Sequence, residues 1–230
     1  MTSSMPRQPE PELMDLKDEA VAYAKADFAA VNEAFVQRLL ALAGPLTTGR
    51  LLDLGTGPGD IPIRVARARP RWHIVAVDAS QAMIQLARRA ADRAGVSASV
   101  ELVLGDAKTT SLPTAGFDVV FSNSILHHVN ETDRLWAEVK RLARPGGMVL
   151  FRDLARPDNE DVARRIVEQY SGQESALLKD EFYRSLLAAY TPEEVREQLD
   201  RAGLTTLEVA MVSDRHLDVF GRTPQAGPQR

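Results

Sequence analysis

The sequence predicts an α/β protein built on a doubly wound, mostly parallel sheet. Three observations predict this class. Residues 50–63, RLLDLGTGPGDIPI, are typical of a buried strand, a glycine-rich turn and the start of a helix. Short apolar runs then alternate with amphipathic helical patterns as far as residue 153. Polar residues, Asp78, Asp106 and Asn123, follow the ends of three of those runs.

The composition narrows the class of protein further. The 230 residues suffice for one α/β domain with a sizeable core. The absence of cysteine excludes disulfides, thiolate metal sites and cysteine nucleophiles. A net charge of -4 argues against a general affinity for nucleic acid. No apolar run has membrane-spanning length, so we expect a cytoplasmic protein with neither a membrane nor a nucleic acid as its partner.

The chain is predicted to form one domain between two short tails. Residues 1–12 contain Pro6, Pro9 and Pro11 and are expected to be a flexible tail, as are residues 224–230. The single domain is then expected over residues 13–223. We find no internal repeat.

The domain is expected to open with a helix over residues 13–43. Its apolar residues recur at three- and four-residue steps, and Gly44 ends it. A plain packing helix is one interpretation. The other is a lid over the glycine-rich turn, with polar or aromatic side chains directed at a ligand: Tyr23, Asp27, Phe28 or Asn32.

The glycine-rich turn follows the first strand and contains Gly55, Gly57 and Gly59. Glycines allow a tight turn and a close approach of ligand to backbone, and the N–H groups of the next helix then face that ligand. Asp60 stands where a dinucleotide-binding turn has a small residue, and its carboxylate would repel a pyrophosphate. The turn therefore favours a nucleoside without phosphates. A tight turn with no ligand is the alternative.

Asp78 ends the second predicted strand, residues 72–77, about 20 residues after the turn. A carboxylate at that distance is placed to accept hydrogen bonds from a ribose diol. The alternative role for Asp78 is to cap the helix predicted over residues 80–94, but Ser80 already suits that role. Met83 is expected either over the nucleoside or in the core.

The third predicted strand, residues 100–104, is followed by Asp106 and Ala107. Asp106 would accept a hydrogen bond from the exocyclic amine of a purine, while Ala107 offers a backbone N–H to the ring. An ordinary turn aspartate is the alternative.

The fourth predicted strand, residues 117–122, runs into a polar segment from Asn123 to His128. The carboxyl ends of the strands beside the switch point line one crevice, so this segment should face the glycine-rich turn. Adjacent histidines are expected to point in different directions, which argues against a metal site. We expect His128 to line the crevice and His127 to serve packing or capping.

The fifth predicted strand, residues 148–153, follows a helix over 132–143 and ends with Arg152 and Asp153 beside the same crevice. A surface ion pair and a substrate role are both compatible with these two residues.

The rest of the chain is expected to add an insert and a hairpin. Residues 155–190 hold two helical patterns, and Thr191 and Pro192 open a third helix that ends at Gly203. The last elements are two predicted strands, residues 204–212 and 216–220.

The segments LLDLGTGPGD, VAVDAS, LGDA, FDVVFSNSILHHV and LARPGGMVLFRDL, in this order, resemble those of class I S-adenosylmethionine-dependent methyltransferases. The chain is most similar to the small-molecule branch that includes quinone methyltransferases. The resemblance covers residues 50–153. It implies a Rossmann-like seven-stranded sheet with helices on both faces and an antiparallel C-terminal hairpin.

The resemblance also implies a cofactor, S-adenosylmethionine, and roles for individual residues. The turn residues Gly55, Thr56 and Gly57 would line its methionine portion, Asp78 its ribose, and Asp106 with Ala107 its adenine. Asn123 and the residues after it would face the amino acid end. The full set of predicted cofactor contacts is Asp53, Gly55, Thr56, Gly57, Gly59, Asp78, Ala79, Met83, Asp106, Ala107, Asn123, Ser124, His128 and Tyr23.

The reaction implied is in-line displacement at the methyl carbon, with a small-molecule methyl acceptor as partner. His128 is the predicted base for an acceptor that arrives protonated, because its unperturbed pKa is near neutral. Asp153 would orient the substrate and Arg152 would hold an anionic one, with His216 a weaker candidate.

Three other functions compete with this one. A nicotinamide-dependent oxidoreductase is disfavoured by Asp60, and a nucleic-acid methyltransferase by the acidic balance. A non-catalytic nucleoside-binding module would keep the same contacts without transferring a methyl group. The acceptor, the methylated atom and the oligomeric state, including a homodimer, stay open.

Overall fold

A computed structural model of the chain describes residues 5–10 and 29–225. These residues form one seven-stranded sheet with the strand order β3-β2-β1-β4-β5-β7-β6. The strands β1 to β5 pair in parallel, and β7 is antiparallel to both β5 and β6. Their bounds are β1 Gly49–Leu54, β2 Trp72–Asp78, β3 Val100–Leu104, β4 Phe117–Asn123, β5 Ala143–Leu154, β6 Leu207–Met211 and β7 His216–Arg222. The predicted α/β class, sheet size and antiparallel hairpin are confirmed.

The helices connect the strands and cover both faces of the sheet. Their bounds are α1 Ala29–Ala43, α2 Asp60–Ala68, α3 Gln81–Ala94, α4 Thr132–Leu142, α5 Glu160–Ser171, α6 Ala176–Ala188 and α7 Pro192–Ala202. A single 3₁₀ turn, Leu126–His128, follows β4. No helix among these described residues is long and apolar enough to cross a membrane.

Alternate residues of β1 pack into the two halves of the core, because successive side chains of a strand point to opposite faces. Leu52 belongs to the cluster that contains Trp136 of α4. Leu51 belongs to the cluster on the other face, which contains Phe35 of α1. All four of these side chains are fully buried. β1 is therefore covered on both faces, as its nearly continuous apolar run predicts.

Helix ends follow the predicted signals. Ser80 accepts a hydrogen bond from the N–H of Met83 at the start of α3. Thr191 and Glu194 form a reciprocal capping box at the start of α7. Gly95 and Gly203 end α3 and α7 in the left-handed conformation. These caps fix where each crossover returns to the sheet.

The N-terminal part of the chain differs from the prediction. Residues 5–10 were expected in a flexible tail, but they lie along the insert and the 3₁₀ turn. The N–H of Gln8 donates to the carbonyl of Leu187, and the N–H of Met5 donates to the carbonyl of Asp158. Arg7 makes three hydrogen bonds with its guanidinium group. Of the predicted helix over residues 13–43, the described part is α1, and residues 11–28 lie outside the described residues.

Several strand boundaries also differ, and β7 extends two residues beyond its predicted end, to Arg222. β5 begins at Ala143, five residues before the predicted start, because Ala143 pairs with Phe117 before a register shift. β6 is shorter than predicted and begins at Leu207, after a turn at Thr205 and Thr206. None of these changes moves the carboxyl ends of β1 to β5, where the candidate site lies.

Candidate active site

A cavity of about 1430 Å³ lies at the carboxyl ends of the parallel strands. A pocket for one small ligand has about 300–1,000 Å³, so this cavity has room for two reactants. The strand ends form one part of its wall. The other part comes from α1, the insert helices α5 and α6, and the β6–β7 turn. The crevice predicted from the strand order is therefore present.

The glycine-rich turn brings the backbone of β1 to this cavity. Gly55 has φ 74°, and a Cβ there would lie 2.7 Å from Cδ1 of Ile125. Gly57 has φ 55°, and a Cβ there would meet nothing within 4 Å. Gly55 therefore allows the turn to pack against the segment after β4, while Gly57 leaves the space above the turn open for a ligand.

Asp78 closes the turn from the neighbouring strand. Its Oδ2 accepts a hydrogen bond of 2.7 Å from the N–H of Gly57, and its Oδ1 accepts one of 2.8 Å from the N–H of Ser80. Burial raises the pKa of Asp78, and these two N–H groups oppose the rise. A carboxylate has about four lone-pair sites, so Asp78 retains acceptor capacity toward the cavity that it lines.

Asp53 lies at the floor of the cavity and is only 2% exposed. Its Oδ2 and the Oγ1 of Thr56 are buried without a hydrogen-bond partner among the described residues. Burial raises the pKa of Asp53 to about 7; the nearby hydroxyl of Thr56 opposes this rise, and the charge of Asp78 adds to it. Because buried polar atoms are normally paired, these two atoms mark a place for polar groups of a ligand.

The residues after β3 also line the cavity. Oδ1 of Asp106 accepts a hydrogen bond of 2.8 Å from the N–H of Lys108, and the Nζ atom of Lys108 lies 3.5 Å from the other oxygen. Ala107 is buried beside them. The contact from Asp106 to Lys108 is that of a turn aspartate, so the proposed purine contact would use its remaining lone pairs.

The segment after β4 turns sharply into the cavity. Ser124 has φ 64°, which is uncommon for a residue other than glycine. Its N–H donates to the carbonyl of Arg152, and the N–H of Leu126 donates to Oδ2 of Asp153 over 2.5 Å. These contacts to β5 position the two histidines of the 3₁₀ turn.

His127 and Asp153 form a buried pair. The distance between Nδ1 of His127 and Oδ1 of Asp153 is 2.5 Å, and both side chains are almost fully buried. Burial disfavours the charged forms of both side chains. The opposite charge and the hydrogen bond of the partner outweigh burial, so the pKa of Asp153 is lowered and that of His127 is raised. Asp153 does not line the cavity. Asp153 therefore lies behind His127 rather than in the cavity wall, and it holds the His127 ring in position.

The two histidines do not point apart. Their ring centroids are 4.1 Å from each other, and both rings border the cavity. Oε1 of Glu10 lies 3.2 Å from Nδ1 of His128 and 3.6 Å from Nε2 of His127. The expectation that adjacent histidines diverge is wrong here, because the 3₁₀ turn brings both rings to the same carboxylate.

Arg152 does not offer a free cation to an anionic substrate. Its Nε and Nη2 donate to the two carboxylate oxygens of Asp218 over 2.7 and 2.9 Å. Asp218 is fully buried, and its charge is compensated by this bidentate contact and by Arg38, whose Nε lies 3.7 Å from Oδ2. Arg152 reaches the cavity wall, and its guanidinium is engaged in this ion pair, which is one of the two roles expected from the sequence.

Most of the predicted contact residues border the cavity. These are Asp53, Gly55, Thr56, Gly57, Asp78, Ala79, Met83, Asp106, Ala107, Asn123, Ser124 and His128, together with Arg152 and His216. Gly59 does not border the cavity. A Cβ at this position would lie 2.9 Å from Cβ of Ala87 in α3, so the glycine allows close packing against that helix. Tyr23 lies outside the described residues. Asn32 borders the cavity and donates to Oδ2 of Asp60 over 2.8 Å.

The sequence reasoning missed Glu10, Arg7 and the importance of His127. Arg7 donates to the carbonyls of His127 and Ala188 and stacks on Tyr190. No local pattern signals these contacts, since each joins distant parts of the chain. The proline-rich composition of the N-terminal segment predicts a flexible tail and indicates no partner.

The fold and the cavity define a class of protein: a doubly wound α/β protein with a nucleoside-sized crevice at its switch point. Comparison with known proteins agrees with this class. Residues 51–147 match a family described as a methyltransferase domain. The chain is 30% identical over 186 residues to 27-O-demethylrifamycin SV methyltransferase of Amycolatopsis mediterranei, an alignment covering 78% of this chain and 68% of that protein.

Two further likenesses fit the same family. The chain is 30% identical over 127 residues to a ubiquinone/menaquinone biosynthesis C-methyltransferase of Pseudomonas putida, covering 54% of this chain and 49% of that one. Phosphoethanolamine N-methyltransferase 2 of Haemonchus contortus, solved with S-adenosylhomocysteine, matches its fold with a TM-score of 0.70 at 19% identity, over 91% of this chain and 58% of that one. The chain spans 57% of the length of its mycobacterial relatives, which are uncharacterised methyltransferases.

The chain belongs to the class I S-adenosylmethionine-dependent methyltransferases. The family predicted from its sequence segments is thereby confirmed, as is its similarity to quinone methyltransferases. Nothing in these comparisons favours the nicotinamide-dependent oxidoreductase.

Proposed function

We propose that the protein transfers a methyl group from S-adenosylmethionine to a small-molecule acceptor held in the same cavity. The observation that carries the proposal is the meeting of Asp78 with the glycine-rich turn, at 2.7 Å from the N–H of Gly57. This contact supports the proposal, because a carboxylate suited to a ribose diol then lies beside a backbone that a ligand can approach. Membership of the methyltransferase family supports the same assignment.

The residues of the crevice fit S-adenosylmethionine in charge and in polarity. Asp53 offers a buried carboxylate oxygen next to the hydroxyl of Thr56, which suits the ammonium group at the amino acid end. Asp78 suits the ribose diol, and Asp106 suits the exocyclic amine of the adenine. The bound sulfonium supplies an activated methyl group, so the protein has mainly to align the acceptor and exclude water.

The acceptor is assigned to the part of the cavity between the insert and the β6–β7 turn. Leu178 and Phe182 of α6 provide apolar wall there, while Ser213 and Arg215 provide polar wall. This mixture suits an amphipathic small molecule. The two histidines of the 3₁₀ turn border the cavity too, and they are the residues best placed to act on an acceptor proton.

Calorimetric titration with S-adenosylhomocysteine tests the cofactor assignment. We expect Asp78→Ala to weaken binding at least tenfold, because a hydrogen bond to a charged group contributes about 1.5–3 kcal/mol. Asp133→Ala, the same change at an exposed acid of α4, should leave binding unchanged. Absence of binding to the folded wild type would contradict the proposal.

A screen of acceptors tests the catalytic part of the proposal. Purified protein is incubated with S-adenosylmethionine and pools of phenols, quinols, amines and hydroxylated acids, and release of S-adenosylhomocysteine is measured. We expect release that depends on one pool and falls in Asp78→Ala. Tight binding of S-adenosylhomocysteine without release from any pool would instead favour the non-catalytic nucleoside-binding module.

A further inference from the structure

Two histidines and a glutamate converge at the acceptor side of the cavity. Oε1 of Glu10, Nε2 of His127 and Nδ1 of His128 all lie within 4.8 Å of one another. Two of the three separations are 3.2 and 3.6 Å. We propose that Glu10, His127 and His128 bind one divalent transition-metal ion.

The spacing of the three atoms suits coordination. Ligand atoms about 2.0–2.2 Å from a tetrahedral ion are about 3.4 Å apart, between the two measured separations. A direct ion pair between Glu10 and the histidines is the competing interpretation. The 3.6 Å distance from Glu10 to His127 is too long for a hydrogen bond but within the range of an ion pair, so the Co²⁺ titration below separates the two interpretations.

Asp153 completes the environment that a metal-binding histidine needs. Such a histidine usually donates its other ring N–H to a carboxylate, which fixes the tautomer and the ring orientation. Asp153 lies 2.5 Å from Nδ1 of His127, and it is itself held by the N–H groups of Leu126 and Leu154. The lone pair of Nε2 in His127 is thereby directed toward Glu10.

A hydrogen bond holds the Glu10 side chain in place in addition to its contacts with the histidines. Its Oε1 accepts a hydrogen bond of 3.1 Å from the hydroxyl of Ser185. Three residues earlier, Arg7 donates to the carbonyls of His127 and Ala188 and to the side chain of Asn130. The N-terminal segment is therefore anchored on both sides of the histidines, and the third ligand is positioned in advance of metal binding.

The donor set indicates the kind of ion. Two imidazoles and one carboxylate suit Zn²⁺, Fe²⁺ or Mn²⁺, whereas Mg²⁺ and Ca²⁺ prefer oxygen ligands. The charge also suits a cation, because Glu10 and Asp153 bring two carboxylates to a largely buried cluster. Three protein ligands leave at least one coordination position open, as in catalytic metal sites.

The open position would face the acceptor, since both histidines border the cavity. This consequence rests on the proposed methyltransferase function. A phenol or vicinal diol bound to the ion would lose its proton to solvent more readily, because the cation stabilises the oxyanion. The oxygen then forms a bond to the methyl carbon while the carbon–sulfur bond breaks, and the bond electrons stay on sulfur as the neutral thioether. The inferred acceptor class is therefore an oxygen acceptor with an ionisable hydroxyl.

Co²⁺ titration tests the site with a spectroscopic probe. The protein carries no polyhistidine tag, is stripped with a chelator, and is titrated with Co²⁺ while its visible absorption is recorded. We expect one equivalent to bind with ligand-field bands. The variants Glu10→Gln and His128→Asn should each weaken binding at least tenfold. Asp153→Asn should weaken it about 10–100-fold while leaving the three ligands present.

The matched control is His73→Asn, which changes an exposed histidine of β2 that is paired with Glu101. Its Co²⁺ affinity should equal that of the wild type. Circular dichroism confirms that each variant is folded. Wild-type binding that is absent, or that is equal in Glu10→Gln and His128→Asn, would overturn the proposal and leave an ion pair between Glu10 and the histidines.

Parallel calorimetry with S-adenosylhomocysteine on the metal-free protein separates this proposal from the proposed function. If the protein binds S-adenosylhomocysteine but fails to bind Co²⁺ in the titration, the metal site alone is refuted. If the protein binds Co²⁺ but fails to bind S-adenosylhomocysteine, the methyltransferase assignment alone is refuted and the metal site stands.

Discussion

The substitution Asp53→Asn should stabilise the folded protein while weakening its cofactor binding. Asp53 is buried, and burial with the nearby charge of Asp78 raises its pKa from 3.8 to about 7. One pKa unit corresponds to about 1.4 kcal/mol. Ionised Asp53 therefore lowers the free energy of unfolding by up to about 4 kcal/mol above pH 7. Asparagine has the same shape and no charge, so it removes this destabilisation.

The sign of the effect fixes its pH dependence. Below about pH 4 the side chain is protonated in both the folded and unfolded protein, so Asp53 does not affect stability through its charge. Between about pH 4 and 7 only the unfolded state ionises, so the cost grows as pH rises, and above pH 7 it is constant. Binding of S-adenosylhomocysteine should weaken in the variant, because the amino group of the ligand would lose the Asp53 carboxylate as its partner.

Urea denaturation followed by circular dichroism, at several pH values from 4 to 8, measures the difference in unfolding free energy between the wild type and Asp53→Asn. We expect the unfolding free energies of the wild type and Asp53→Asn to be similar at pH 4 and to diverge up to pH 7. Asp133→Asn, at an exposed site, serves as the control and should show no such divergence. A variant less stable than the wild type at pH 8, or a gap that does not depend on pH, would refute the reasoning.

Three further predictions concern the frame of the site. Arg152→Met should lower the unfolding free energy by up to about 3–5 kcal/mol, since it leaves buried Asp218 with only its 3.7 Å ion pair to Arg38. Arg134→Met, in an exposed pair, should cost under about 1 kcal/mol, and equal losses in urea denaturation would contradict this. Thr191→Ala should cost about 1 kcal/mol by removing a helix cap, and an unchanged thermal midpoint would count against it. His216 should titrate by NMR with a pKa of about 4, because burial disfavours its charged form; a midpoint near 6.5 would show that it is solvated.

The sheet and its crevice were predictable because their signals are local. A glycine-rich turn after an apolar run defines the end of β1, and Asp78 ends β2 within the same pattern. Parallel pairing then brings those ends together: Leu54 pairs with Val77, one residue before Asp78. Once the strand order is inferred, the meeting of Asp78 with Gly57 follows from geometry.

The histidine site was not predictable in the same way. His127 and Asp153 are 26 positions apart, and they meet because Asn123 pairs with Arg152 and the chain then turns back at Ser124. A single residue of register shift would separate them.

The contact of Glu10 with both histidines depends on where the N-terminal segment lies. That position is set by hydrogen bonds from Arg7 and Gln8 to parts of the chain far away in sequence. Composition alone predicts a flexible, proline-containing tail and says nothing of a partner for it. The same holds for Arg152, whose bidentate contact with Asp218 requires the antiparallel register of β5 and β7.

A crystal structure of the protein with S-adenosylhomocysteine is the most direct test of the proposed cofactor site. The account predicts the ribose diol within hydrogen-bond distance of the Asp78 carboxylate, the adenine beside Ala107 and the amino group facing Asp53. A ligand bound elsewhere, with Asp78 still turned only to Gly57 and Ser80, would contradict it.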